Sequence, residues 1–445
     1  MKWLKRSAIA LGIALIVLAV VPLLVSLDDY IPYIEREASA KLKERVSVQS
    51  LRASVLPFPH LTVRGVALGK TADVKVGRIT VTPEWWSLLD AVKIIRSIEI
   101  EDLVLSQNAF EKIPAWTQSG GAEPAQIRIK SIRLDGAIVH LGKNAFGPFD
   151  ANIVTNDGGQ PQEATVATRD GALKATVKPE GQKYLIDVTA KSWKLPLDPP
   201  IVFDELNMRA VATLGNATFN DVNARLYGGT VKGNAALRWQ KGLQLTGRFD
   251  VHQIELKNLV PLLSPGNRMS GRLNAKPVLS AKAANASQFA NALRVETPFN
   301  VQNGVLYGVD IRKAATSLLT KEPTGGETRF DELSGQLVME RGAYRFTQLK
   351  IASGALAASG NVNIAQDKAL SGRISAEVKA AHIASASVPL NVSGTVQSPL
   401  LLPTGGTVAG AAVGTAILGP GLGTSVGAKV GQWTENLFGK KEEKP

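Results

Sequence analysis

The stretch Gly65–Thr71, GVALGKT, comes nearest to a recognisable chemical signature. A phosphate-binding loop wraps phosphates in backbone N–H groups and reaches them with its Lys. It needs four residues between its first Gly and Gly-Lys-Thr, and only Val66, Ala67 and Leu68 intervene here. The stretch also lies inside an apolar alternation, so Lys70 reads as a solvated turn residue. GPGLG at 419–423 has no strand before it and no acidic ribose partner after it, so a dinucleotide fingerprint fails as well. Hydrolysis by Ser or Thr requires a His–carboxylate pair, and no G-x-S-x-G elbow is present. His60, His140, His252 and His382 are isolated from one another in strand-like or loop text, which leaves histidine metal chemistry without a ligand set. With no Cys, disulfides, thiolate zinc, iron–sulfur clusters and cysteine nucleophiles are excluded. Glu99, Glu101 and Asp102 read as the polar face of a strand. Asn216-Ala217-Thr218 and Asn391-Val392-Ser393 match a glycosylation sequon, a weak signal. The residues predict no enzyme and no cofactor.

What remains is charge and hydropathy. The 445 residues carry 51 Lys+Arg against 38 Asp+Glu, a net +13, which suits an anionic partner, either nucleic acid or a lipid headgroup surface. Nucleic acid calls for a basic stripe interleaved with aromatics. Here aromatics are 6% and the basic residues are spread along alternating text, so nucleic acid is not expected. Lipid is favoured by Ser7–Leu27, 21 residues without a charged side chain. As a helix this run spans ~31 Å, enough for a hydrocarbon core of about 30 Å. Ser7, Leu11, Leu15, Leu18, Leu23 and Leu27 mark the expected anchor. A cleaved signal peptide is the competing reading, but its apolar region is shorter and ends in small residues, whereas this one exits as VSLDDY. Lys2, Lys5 and Arg6 before the run predict a cytoplasmic N-terminus, although Arg36, Lys41, Lys43 and Arg45 follow it.

The elements that follow are mostly strands. Residues 28–45 alternate in charge with Ile34, Ala38 and Leu42 four apart, which predicts a helix continuing from the anchor. Apolar positions then recur with the spacing φ-x-φ-x-x-φ-x-φ, first at Val46, Val48, Leu51 and Ala53, then at Leu61, Val63, Val66 and Leu68. The pattern returns at Val74, Val76, Ile79, Val81, at Ile98, Ile100, Leu103, Leu105, and at Ile127, Ile129, Ile132, Leu134. Alternation buries one face, and the extra residue is either absorbed by a β-bulge, with Gly65 and Gly77 suited to it, or marks a turn between two short strands. Beyond residue 135, GNAALRWQKGLQLTGRFDV (233–251) and GNVNIAQDKALSGRISAEV (360–378) read as repeated meanders that need neighbours to bury their apolar face. Short helical turns are expected at 83–90, 254–263, 287–293 and 309–319, and linkers near 118–124, 156–162 and 321–326. From Ile383 to Ala428 no residue is charged, and Gly410 and Gly414, then Gly423, Gly427 and Gly431, lie four apart. That tail reads either as a flexible Gly-rich segment or as a membrane-inserting hairpin broken at Pro420.

The layout resembles the AsmA family of bacterial envelope proteins, which includes TamB-like members. The resemblance is carried by the anchor, by SVLPFPHLTVRGVALG and VKVGRITVTPEWWSLLDAVKIIRSIEIEDLVL, by FDELSGQLVMERGAYRFTQLKIASGALAASGNVNI, and by the terminal GTAILGPGLGTSVGAKVGQWTENLFGKK. It implies a single-pass protein of the bacterial inner membrane whose bulk lies in the periplasm, akin to chorein-type bridge-like lipid transporters. The expected fold is mainly β: an N-terminal transmembrane helix, then a long curved antiparallel sheet forming an open groove of repeated meanders, with few short helices. The expected organisation is a cytoplasmic 1–6, an anchor 7–27, a juxtamembrane helix 28–45, an N-terminal AsmA-like region 46–155, a meander groove 163–403 with an AsmA-like C-terminal region, and a Gly-rich tail 404–445. The expected lipid-facing residues are Val74, Val76, Ile79, Val81, Ile98, Ile100, Leu103, Leu105, Ile127, Ile129, Ile132 and Leu134. Expected partners are the inner membrane, phospholipid and envelope or outer-membrane proteins. Two functions follow: phospholipid transport or outer-membrane homeostasis, or a non-transporting scaffold that aids outer-membrane protein assembly through its β edges.

Overall fold

A computed structural model of the chain describes residues 27–55, 58–109, 127–141, 144–197, 200–240, 242–264, 266, 268–284, 286–316, 325–354, 356–378 and 387–404. The expected anchor, apart from Leu27, and the Gly-rich tail beyond Thr404 lie outside them, as does His382. Among the described residues no helix is long and apolar enough to cross a membrane. The protein is mainly β with few helices, as the alternation predicts. It divides into two compact units, residues 1–201 with 207–217, and residues 202–206 with 218–445.

In the first unit, helix α1 (Ile31–Leu42) follows a 3-10 turn at Asp28–Tyr30 and ends at Lys43, whose φ is +53°. The strands are β1 (Val46–Ser47), β2 (Ser50–Ser54), β3 (His60–Leu68), β4 (Val74–Pro83), β5 (Lys93–Leu105), β6 (Ile127–Ile129), β7 (Ser131–Leu141), β8 (Asn144–Thr155), β9 (Pro161–Thr168), β10 (Leu173–Glu180) and β11 (Lys183–Leu195). Neighbours pair antiparallel, with one exception that corrects the expected all-antiparallel sheet: β5 pairs with β6 and β7 in parallel. A parallel pair needs a long crossover, and the chain between Leu105 and Ile127 is long enough to supply it.

Helix α1 lies along the edge strand. Edge strands leave a row of unpaired N–H groups that invite pairing with other chains. Here Ser39 Oγ accepts the N–H of Val46 at 2.9 Å, Glu35 Oε1 that of Val48 at 2.7 Å, and Asp28 Oδ1 that of Leu51 at 3.1 Å. Glu35→Ala leaves the Val48 N–H without its carboxylate, a loss of about 1–2 kcal/mol. Amide exchange at Val48 and Leu51 is expected to accelerate while that of β7–β9 stays unchanged. Unaltered protection at Val48 would show that the helix is not the seal.

The second unit begins among β12 (Ile201–Ala212) and β13 (Asn216–Leu226), which contribute residues to both units. It continues with β14 (Gly229–Arg238), β15 (Leu243–Glu255), α2 (Leu256–Leu263), β16 (Met269–Ala275), β17 (Val278–Ala283), α3 (Ala286–Ala292), β18 (Arg294–Tyr307) and α4 (Ile311–Thr316). It closes with β19 (Glu327–Glu340), β20 (Ala343–Ala352), β21 (Leu356–Ile364), β22 (Leu370–Val378), β23 (Ser387–Gly394) and β24 (Pro399–Pro403). The two similar stretches are hairpins of equivalent register: Gly233 faces Phe249 and Asn234 faces Arg248 in β14–β15, while Gly360 faces Ile374 and Asn361 faces Arg373 in β21–β22. A bulge also recurs. Gln253 and Gln348 have φ of +57° and +52°, and each donates its backbone N–H to an Asn side chain on the next strand, Asn274 at 3.1 Å and Asn361 at 3.0 Å. Two helices cover the apolar face of this unit. Leu256, Leu259 and Val260 of α2 pack with Val301, Phe330 and Leu333, and Ile311, Ala314 and Ala315 of α4 pack with Leu356, Ala376, Leu390 and Leu401.

Candidate functional site

The face marked out by the recurring apolar spacing is continuous across the first unit. Directly opposed residues share a face. One row runs Ala53, Leu61, Val81, Ile98, Ile132, Ile153, Ala164, Val177, Ile186. A second runs Leu51, Val63, Ile79, Ile100, Leu134, Ala151, Val166, Ala175, Val188. The row between them, on the opposite face, reads Arg52, Thr62, Thr80, Glu99, Arg133, Asn152, Thr165, Thr176, Asp187. One side of the sheet is thus apolar over its whole width and the other polar over the same width. Glu99 falls opposite Arg133, and Glu101 pairs with Arg78 at 3.2 Å, so the paired carboxylates serve the solvated face.

The extra residue in the spacing does keep both apolar pairs on one face. Val63 and Val66, Val76 and Ile79, and Ile100 and Leu103 all join a single cluster. It does so without the bulge expected at Gly65 and Gly77. Gly65 and Gly77 lie together between the pairs Arg64–Arg78 and Val66–Val76, and Asp102 lies level with Gly77 between Val76–Leu103 and Arg78–Glu101. Gly136 lies level with Asp102 beyond Glu101–Asp135, and Gln49 lies level with Gly65 between Ser47–Ala67 and Ser50–Arg64. The chain carries its extra residue at one level between β1 and β2 and in β3, β4, β5 and β7, so register is preserved and a crease crosses these strands. Gly65, Asp102 and Gly136 turn through φ of +62°, +54° and +72° there, a backbone region open to Gly and tolerated by Asp. Asp150 Oδ1 accepts the Gly136 N–H at 2.9 Å, and Arg169 sits 3.6 Å from the same carboxylate.

The fifth copy of the spacing is out of step with the others. Ile132 and Leu134 face Ile98 and Ile100, but Ile127 and Ile129 face Lys93 and Ile95, beyond the end of the aligned rows. Register slips where Thr82 faces Ser97 and Pro83 faces Ile95, so a true bulge falls at Arg96. Ile127 is exposed.

Cover divides the apolar face. On the Leu68–Val74 side of the crease, Val74 and Val76 are buried with Leu103 and Leu105 beside them, and Ile79 and Ile100, just across the crease, join the same cluster with Ala38 and Leu42 of α1 and Ala109. Val81, Ile98, Ile132 and Leu134 belong to no buried cluster among the described residues and remain half-buried, as do Ile153, Val166, Val177 and Ile186. Of the residues tested for catalysis, Gly69 and Lys70 form the β3–β4 turn, His60, His140 and His252 lie in β3, β7 and β15, and His252 sits 3.2 Å from Asp250 at an exposed position. What sequence reasoning missed is the α1 seal; its signal is the spacing Asp28, Glu35, Ser39 on one helical stretch.

Residues 158–349 match the model of the AsmA family. Neither a curated protein nor a solved structure matches the chain. The match begins at the β8–β9 turn, where the two apolar rows are still running, and ends in β20. Together with the one-sided strands, that match over residues 158–349 supports assignment to the AsmA family.

Proposed function

We propose that this chain is anchored in the bacterial inner membrane and takes part in phospholipid transport or outer-membrane homeostasis by sheltering acyl chains along the apolar face of its sheet. The observation that carries the reading is the pair of apolar rows in the first unit, helix-covered at one end and half-buried beyond. Half-buried Val, Ile and Leu side chains in continuous rows gain from an apolar guest, roughly 0.8 kcal/mol for each sheltered methylene. The polar row behind them keeps the other face in water, so headgroups and sheet share one solvent boundary. The same arrangement on a scaffold aiding outer-membrane protein assembly would leave the rows dry and use the sheet edges.

A photo-crosslinking amino acid at Val81 or Leu134 is expected to capture phospholipid in living cells. The same probe at Arg78 or Arg133, on the polar face, is expected to capture none. Leu105, packed in the covered cluster, is the internal control and should label weakly. Equal labelling on both faces would reduce the signal to proximity to a membrane. Absence of lipid at Val81 and Leu134 in folded protein would leave the scaffold as the function.

A further inference from the structure

The β4–β5 connection is turned inside out. In the 3-10 turn Trp85–Leu89, the polar Ser87 is buried at 3% exposure, while Trp86 and Leu89 stand 78% and 90% exposed and Trp85 is 53% exposed. This is a held conformation. Ser87 Oγ donates to the Glu84 carbonyl at 2.7 Å and accepts the Ile94 N–H at 2.9 Å, and the Glu84 N–H bonds the Ile94 carbonyl at 2.7 Å. Leu88, Phe58 and Ile127 are exposed at the same end of the sheet, since β3 starts at His60, β4 ends at Pro83 and β6 starts at Ile127. Basic groups stand among them: Arg96 lies over the Phe58 ring at 5.5 Å, and Lys130 reaches Glu84 at 2.8 Å.

Trp beside Leu with basic side chains at the rim is the composition of a membrane–water interface, where the ring sits at headgroup depth and the cations meet anionic lipid. The position of α1 adds a second argument. Its bonds to Leu51, Val48 and Val46 run in that order along the helix, so Leu27 lies on the Pro83 side of the crease and the helix C-terminus on the Leu68 side. Leu27 is where the uncharged run 7–27 ends. The apolar turn and Leu27, the last residue of the uncharged run, therefore belong to one end of the first unit.

We propose that the Trp85–Leu89 turn is a second membrane contact, seated in the headgroup region of the bilayer that holds the anchor, with Arg96 and Lys130 at its rim. It rests on the anchored reading above and adds an orientation to it. Two points of attachment, the anchor and the turn, fix the sheet against rotation and hold the row through Val81 and Ile98, the one nearer Pro83, next to the lipid surface.

The absence of native Cys makes the test direct, because any introduced Cys labels uniquely. Full-length Leu89→Cys, Lys70→Cys and Leu18→Cys variants, each carrying a nitroxide, are reconstituted in phosphatidylethanolamine–phosphatidylglycerol vesicles. Relaxation by oxygen, which dissolves in the bilayer, is compared with relaxation by a water-soluble nickel complex. The balance is expected to favour oxygen at Leu89 and Leu18, and nickel at Lys70 in the turn at the opposite end. A nickel-dominated Leu89 beside an oxygen-dominated Leu18 overturns the proposal and leaves the anchor intact. A nickel-dominated Leu18 overturns the anchor instead, and an oxygen-dominated Leu89 in that case still supports the turn as a membrane contact. Loss of access to both reagents at Leu89 marks a protein contact and overturns the proposal.

Discussion

Val76→Asp is expected to unfold the β1–β5 end of the first unit, whereas Lys75→Asp, one residue away, leaves it folded. Val76 is 7% exposed and packs with Val46, Val66, Val74 and Ala109. A carboxylate there either loses its hydration or takes a proton, and each route costs several kcal/mol, about 3–5 when added to the lost apolar contact. Single domains hold only about 5–15 kcal/mol of stability, so the variant is expected to expose β3–β5 to protease. Lys75 is exposed on the opposite phase, between Ala67 and Val104, where a charge change is worth about 0.5 kcal/mol or less. Limited trypsin digestion and the urea midpoint of both variants read the difference. Equal sensitivity at the two positions would show that the face assignment is wrong.

Gly65→Val strikes the crease and is expected to cost about 3 kcal/mol or more. Part is backbone strain, because φ is +62° and a left-handed conformation costs an L residue roughly 1–2 kcal/mol, more when β-branched. The rest is crowding. A Cβ at Gly65 falls 2.6 Å from Gln49 Oε1 and 2.7 Å from Gln49 Cβ. The amide end can swing away, but Gln49 Cβ is tied to the backbone between β1 and β2, so the edge and the α1 seal must move with it. Gly171→Val separates the two terms: its φ is +70° and a Cβ there meets nothing within 4 Å. The Gly171 variant is expected to lose only the strain portion, read as the gap between the two urea midpoints. Matching losses would mean that the crease tolerates a side chain and only strain counts.

Much of this was legible residue by residue. Val74, Val76, Ile79 and Val81 declare a one-sided strand because alternation is a property of a single strand, and Trp85–Leu89 declares a short turn by its composition. The two similar hairpins around Gly233 and Gly360 were visible because repetition needs no partner to be seen. The crease was only half visible. Each strand shows an extra residue, but that Gly65, Gly77, Asp102 and Gly136 share one level is a statement about register, which no single strand contains. The bulge was the simplest local explanation for one strand, and it gives way when the neighbours carry the same irregularity. The parallel β5–β7 pair was hidden for a similar reason, since direction is set by the crossover after Leu105, whose text has no period. The α1 seal was hidden because Asp28 and Glu35 look like ordinary solvated charges until the edge N–H groups are placed beside them.

The two apolar rows present a pair of aliphatic side chains at every strand, a spacing of ~4.8 Å. An apolar guest shifted by one strand meets aliphatic contacts of the same kind as those it has just left, so its free energy along this direction varies only gently. Affinity and mobility are then set separately: the length of chain in contact fixes how firmly the guest is held, while the variation between adjacent strands fixes how fast it drifts. On the proposed reading such a surface would serve as a track, on which net movement is governed by the supply and removal of guests at its two ends.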